Sequence, residues 1–247
     1  MKVGWSFASD SQGDEGGFGT GLALEDSEWG SDRGRKFLQG VDPRVLRLWS
    51  RGNPDAAVLG EKAGASSRAG WIVQALNEPN LSDLGGAANV EQFRGGPTVW
   101  NQWLRACLAT GGRYSIWLTP LSPFDPLSIW RWYAALDRDL LGPDEGVGGI
   151  LAHAYGSRAD VERAMGPVLD LARETGLPIV VSELGPRGDQ STEDWEDDLP
   201  GALYLLASYG VVAAHVFAPH WPVADPGQQP RQMVGTRIEE IMRGWNG

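Results

Sequence analysis

The sequence holds a single cysteine, Cys107, among 247 residues. That excludes an intrachain disulfide framework and any cysteine-based zinc cluster, so stability has to come from a buried core. Histidine is almost as scarce, confined to positions 153, 215 and 220. A metal-dependent hydrolase needs several histidine or acidic ligands at strand ends, and no such set is visible; neither a metal nor a cofactor is expected. His215 and His220 with Asp225 match no helix or strand face as a ligand group. Basic residues are also in deficit: 21 Lys and Arg against 32 Asp and Glu leave a net charge of −11. Phosphate-rich partners are bound largely through Lys and Arg, so neither nucleic acid nor an anionic membrane is an expected partner.

Long apolar runs are missing too. The first ten residues turn polar too soon for a signal peptide, and no stretch reaches membrane-spanning length. The expectation is a soluble monomer, cytoplasmic by default, or secreted or released by lysis if a leader has been trimmed. The Gly-rich stretch from Gly13 to Gly21 lacks the spacing of a dinucleotide-binding turn and reads as a loop.

What is present is a core-forming composition, 42% hydrophobic with 12 Trp, enough for one sizeable domain. Apolar runs rich in Val, Ile and Trp fall at 3–7, 45–49, 71–76, 114–118, 149–154, 178–182 and 211–217 and read as strands. Helical spacing occupies the gaps at 97–111, 127–141, 160–175 (kinked or split at Gly166-Pro167), 192–209 and 234–244. The 97–111 segment has Pro at its start, Gly beyond its end, and Trp100 and Trp103 on its apolar face. Strand and helix alternate without a linker or composition shift, so residues 1–247 form one α/β domain. At about 250 residues the natural closure is an eight-stranded (β/α)8 TIM barrel, with a doubly wound open sheet as the alternative. The eighth strand lies either at Asp55–Gly60 or in the Gly-rich stretch before residue 30.

Two of these strands finish on a carboxylate. Trp71-Ile-Val-Gln-Ala-Leu-Asn-Glu-Pro-Asn80 runs into Asn77 and Glu78, and Leu177-Pro-Ile-Val-Val-Ser-Glu-Leu-Gly-Pro186 runs into Glu183. In a barrel the carboxyl ends of the strands form the active face. Pro79 should keep the residue before it extended, holding Glu78 at the rim. The two are 105 residues apart, three strand–helix units of about 35 residues each, which fits strands four and seven. Paired carboxyl groups facing one another are what glycoside hydrolysis requires, one protonated to assist the leaving group and one ionised to attack or to activate water.

With Asn77-Glu78-Pro79 after one strand and Glu183 in Val-Val-Ser-Glu-Leu-Gly after a later one, the chain resembles glycoside hydrolase clan A, the retaining barrels that include cellulases and mannanases. The resemblance implies Glu78 as acid/base, Glu183 as nucleophile, and Asn77 as the contact to the sugar 2-hydroxyl. It implies Arg47, near the end of strand two, as the group orienting the nucleophile, His153 and Tyr155 as the His-x-Tyr of strand six, and Trp221 as the tryptophan presented by strand eight. A histidine that cellulase-like members often carry on strand three has no counterpart here. The implied partner is a β-linked oligo- or polysaccharide, cleaved with retained configuration; the alternative is a catalytically silent barrel that binds glycans. Trp29, Trp49, Trp195 and Trp221 are the candidate sugar platforms. The acidic run 191–198, which begins with Ser and Thr, reads as a helix N-terminus and not as a metal site.

Overall fold

The computed structural model describes residues 1–7, 19–24, 40–48, 55–84, 96–142, 146–217, 220–221, 231–233 and 236–247. Its centre is a ring of parallel strands: β1 (Lys2–Phe7), β2 (Gly21–Leu24), β3 (Arg44–Arg47), β4 (Ile72–Gln74), β5 (117–118), β6 (Ile150–Tyr155), β7 (Ile179–Gly185) and β8 (Ala213–Phe217). Seven of them hydrogen-bond in the order β4, β3, β2, β1, β8, β7, β6. The short β5 joins the two free edges. Gln74 pairs with Trp117 and Leu118 with Ile150, through Trp117 N–H to Val73 O at 2.9 Å and Leu151 N–H to Leu118 O at 3.0 Å. The ring closes with eight members, as a (β/α)8 TIM barrel.

The eighth strand is therefore β2, within the Gly-rich stretch. Asp55–Gly60 is not a strand: Asp55 caps helix α1 (Ala56–Arg68), its carboxylate accepting from the N–H groups of Ala57 and Val58. Such a cap satisfies helix donors that have no intrahelical partner. The remaining helices are α2 (Pro97–Gly111), α3 (Pro126–Ala134), α4 (Arg158–Thr175), α5 (Thr192–Ser208) and α6 (Arg237–Asn246). The expected 127–141 helix ends at Ala134, and a 3-10 turn at Arg138–Leu141 follows. Helix α4 runs unbroken through Pro167, so the expected split is absent. Capping boxes start α4 (Ser157, Asp160) and α5 (Ser191, Asp194), the second made from the acidic run.

Two hydrophobic layers follow from strand alternation. Val45, Leu151, Val180 and Ala213 cluster with Ile72 and Trp117. One residue from each of six strands can meet only inside the ring, so these fill the barrel floor. Their strand neighbours Leu46, Val73, Leu118, Ala152, Val181 and Ala214 are buried as well and face the helices. Gly149 makes room for the floor's tryptophan: a Cβ there would come within 2.5 Å of the Trp117 ring. Trp195, expected as a sugar platform, is fully buried on α5 and belongs to the core, as do Trp100 and Trp103 on α2.

Two residues beyond the floor, in the same inward phase, the barrel becomes polar. Arg47 follows Val45, Gln74 follows Ile72, His153 follows Leu151 and His215 follows Ala213, all buried. Strand β7 breaks the rule. Val180 faces in and Val181 out, so plain alternation would turn Ser182 inward and Glu183 toward the helices. The register shifts instead: Ala152 pairs with Val181 but His153 with Glu183, and on the other side Ala214 pairs with Val181 but Val216 with Leu184. One extra residue, a β-bulge, has been taken up between Val181 and Glu183 against both neighbours. A one-residue slip exchanges the two faces of a strand, and here it turns Glu183 into the barrel.

Candidate active site

Glu183 lies inside β7, two residues short of its end, and is buried. Arg47 Nη2 sits 2.6 Å from its Oε1, and the Tyr155 hydroxyl donates to its Oε2. His153 Nε2 is 3.6 Å from the same Oε1. Burial by itself would raise this carboxyl. The electrostatic influence of His153 and Arg47, with hydrogen bonds from Tyr155 and Arg47, outweighs burial and holds Glu183 below the ordinary carboxyl range. The Tyr155 phenol is pushed well above its usual value by burial and then by the charges of Glu183 and Glu78, so it stays a donor.

Glu78 is placed differently. β4 ends at Gln74, and Glu78 follows in a turn leading to a 3-10 helix at Pro79–Leu84. Its φ is +45°, in the left-handed region and not in the extended conformation expected ahead of Pro79. That conformation is uncommon for a residue with a side chain and costs roughly 1–3 kcal/mol. The turn is held from outside: Glu78 N–H donates to Pro120 O at 3.0 Å. Asn80 accepts from Ser122 N–H at 2.7 Å and donates to Ser122 O at 3.2 Å. Glu78 Oε1 thereby reaches His153 Nδ1 at 2.7 Å. One imidazole stands between the two carboxyl groups, a nitrogen toward each.

Of the residues expected from sequence, Glu78, Glu183, Arg47, His153 and Tyr155 come together around this point. Asn77 joins them through Gln74, whose Nε2 donates to Asn77 Oδ1 at 2.9 Å. Gln74 also accepts from Arg47 Nη2 at 3.3 Å, which ties Arg47 to the segment bearing Glu78. Sequence reading missed Gln74; the available signal was a lone amide inside the apolar run 71–76. It also missed Asn80. Arg47 ends strand three, not strand two, because β2 occupies the earlier place in the ring. It stands at the strand where no histidine counterpart was found.

Trp221 lies in a short antiparallel pair, β9 (His220–Trp221) with β10 (Arg231–Gln232), beyond the eighth barrel strand; its side chain, like Trp29, Trp49 and Asp225, falls outside the described residues. His215 is fully buried on β8, with Nε2 2.9 Å from Thr20 Oγ1. Burial and the nearby Arg47 charge lower it to about 3, so it is a neutral packing group. Among the described residues, no group of three or more His, Cys, Asp or Glu is placed to hold a metal ion.

No protein-family model and no curated protein matches the sequence. Solved structures do match, along nearly the whole chain. An endo-β-1,3-glucanase of family GH128, subgroup I, from Amycolatopsis mediterranei aligns over 100% of this chain and 99% of its own, with a TM-score of 0.60 and 20% identity. The fold is that of the clan A glycosidase barrels. A GH5 xyloglucan-specific endo-β-1,4-glucanase from a metagenomic library covers 92% of this chain and 84% of its own, at TM-score 0.55 and 13% identity. A GH128 subgroup VII oligosaccharide-binding protein from Trichoderma gamsii covers 100% and 95%, at TM-score 0.54 and 13% identity.

Proposed function

We propose that the chain is a retaining β-glucan hydrolase that cleaves β-1,3-linked glucose polymers, with Glu183 as nucleophile and Glu78 as acid/base. The observation that carries this reading is the pair of buried carboxyl groups on either side of His153, at the carboxyl ends of strands four and seven. The linkage is inferred from the GH128 glucanase that aligns end to end with this chain.

Glu183 Oε attacks the anomeric carbon as the glycosidic C–O bond breaks, and Glu78 gives its proton to the departing oxygen. Arg47 and Tyr155 keep the attacking carboxylate ionised and fix its orientation. Once the glycosyl ester has formed, the Glu183 charge is gone. Glu78, now a carboxylate, takes a proton from the water that attacks the same carbon and breaks the ester, so configuration is restored by two inversions. His153 Nδ1 stays at hydrogen-bond distance from Glu78, 2.7 Å from its Oε1, and fixes where that carboxyl points. The Asn77 amide, oriented by Gln74, is available to the sugar 2-hydroxyl.

A second reading, a glycan-binding barrel without turnover, is favoured by the oligosaccharide-binding Trichoderma gamsii neighbour. Proton NMR of a β-1,3-gluco-oligosaccharide digest separates the two. The hydrolase releases the β anomer first, before mutarotation, and Glu78→Gln lowers turnover by ~100-fold or more. An α anomer appearing first would mean inversion; binding without release of any product would favour the silent barrel.

A further inference from the structure

Three of the large apolar side chains exposed among the described residues, Phe124, Leu127 and Trp130, fall in one short stretch beyond β5. Phe124 is the one joined to the candidate active site. It is 69% exposed, yet its ring lies nearly parallel to Tyr155, 5.9 Å between centroids and 9° between planes. Tyr155 is the residue that donates to Glu183. An exposed phenylalanine ordinarily gains nothing from being ordered, so what orders this one matters. Pro123 precedes it, and Asp125 caps α3 by accepting from Leu127 N–H at 3.0 Å, with Pro126 as the first helical residue. The backbone of this turn is restricted on both sides.

Phe124 and Tyr155 both line a cavity of about 420 Å³, within the size range of small-molecule sites. Its charged lining is Asp160, Arg163, Arg187 and Asp189. Arg163 is 3.1 Å from Asp160, Arg187 is 3.1 Å from Asp189, and Arg187 is 3.9 Å from Asp160. A flat apolar ring and alternating donors and acceptors in the lining of one cavity match a pyranose, which has an apolar face and a rim of hydroxyls.

We infer that Phe124 and this ion-paired groove bind the sugar unit on the leaving-group side of the scissile bond, an inference that rests on the hydrolase reading above. The side follows from how the turn is built. Glu78, which protonates the leaving oxygen, bonds through its N–H to Pro120 O, and Asn80 clasps Ser122; the chain continues directly to Phe124. The platform is therefore an extension of the segment that positions the acid, whereas the sugar that becomes esterified has to lie over Glu183. Binding energy gathered away from the reacting bond acts on the bond-breaking step. After the first product departs, the same groove can hold an acceptor sugar. Its hydroxyl oxygen then bonds to the anomeric carbon as the Glu183 ester bond breaks, and Glu78 takes the proton.

The test compares two donors in the intact chain. A β-1,3-gluco-oligosaccharide places a sugar in the groove; a β-glycosyl fluoride of the same donor sugar has a leaving group too small to reach Phe124. In Phe124→Ala, kcat/KM on the oligosaccharide should fall about 10-fold and transfer to an added acceptor sugar should be lost, while fluoride hydrolysis stays within about 2-fold of the parent. Phe124→Trp should restore both activities. If the parent fails to hydrolyse the fluoride, the hydrolase reading itself fails. If the parent hydrolyses it and Phe124→Ala slows both donors equally, or slows neither, the hydrolase reading stands and the subsite is overturned.

Discussion

Glu78 and Glu183 face the same imidazole but are held there by different means. Glu183 belongs to a seven-residue strand that is buried throughout and paired on both sides. Its charge is met by Arg47 and Tyr155 before any substrate arrives. Glu78 stands four residues past a three-residue strand, in a left-handed turn whose shape depends on Pro120 and on the Asn80 clasp. The difference fits the two tasks proposed for them. A nucleophile has to stay ionised and aimed, which rigid sheet and fixed cations provide. An acid/base has to exchange a proton with substrate and water, and it needs fewer fixed charges around it and a place at the rim. Backbone strain at Glu78 is tolerated because Pro120 and Ser122, in the segment after β5, fix the turn.

Substitutions should separate the two stations. The largest expected effect is at the rigid one: Glu183→Gln should lower turnover on a β-glucan by ~1000-fold or more with the fold retained. Azide added to Glu183→Ala should recover glycosyl transfer with inverted configuration, whereas in Glu78→Ala it should give a retained product; chromatography of the glycosyl azides distinguishes them. Next comes the loop support of the other station. Asn80→Ala frees the Glu78 turn from Ser122 and should lower kcat about 10-fold. It should also destabilise the protein by ~1–3 kcal/mol in urea denaturation, since a buried N–H loses its acceptor. An Asn80→Ala enzyme with unchanged kcat would show that β4 alone positions the acid.

Tyr155→Phe tests the charge control of Glu183. The hydroxyl helps hold that carboxyl below its ordinary range, so removing it lets the carboxyl rise. In the proposed reaction the ionised form attacks, so the acid limb of the kcat/KM profile should move to higher pH, with a rate loss of a few-fold at its optimum. An unmoved limb would assign the control to Arg47 and His153 alone. The smallest effect on catalysis should come from His215→Asn. His215 titrates at about 3 in the fold, from an ordinary value of 6.5. Below about 6.5 the unfolded chain binds a proton that the folded one refuses, so stability falls as pH drops from that value toward 3. In His215→Asn the loss of melting temperature across that window should be shallower, with turnover near that of the parent.

The barrel was legible in the sequence because strand and helix differ in hydrophobic period, and that period survives in short pieces: seven of the eight strands overlap the runs read from it. Two carboxylates closing apolar runs, with Arg47 and His153-Ala-Tyr155 at comparable ends of theirs, marked the candidate site for the same reason, since polar side chains ending buried strands of one barrel converge at its carboxyl face. β2 was hard to read because Gly21-Leu-Ala-Leu24 is four residues inside a Gly-rich stretch, too short for a period to register. Only the tertiary structure decided how the side chains face. Alternation counted along Val180-Val-Ser-Glu183 turns the glutamate outward; the bulge that turns it inward exists only against the neighbours β6 and β8, whose registers define it. The left-handed turn at Glu78 runs against what Pro79 favours locally, and it persists because Pro120 and Ser122, some forty residues later in the chain, supply the hydrogen bonds that hold it.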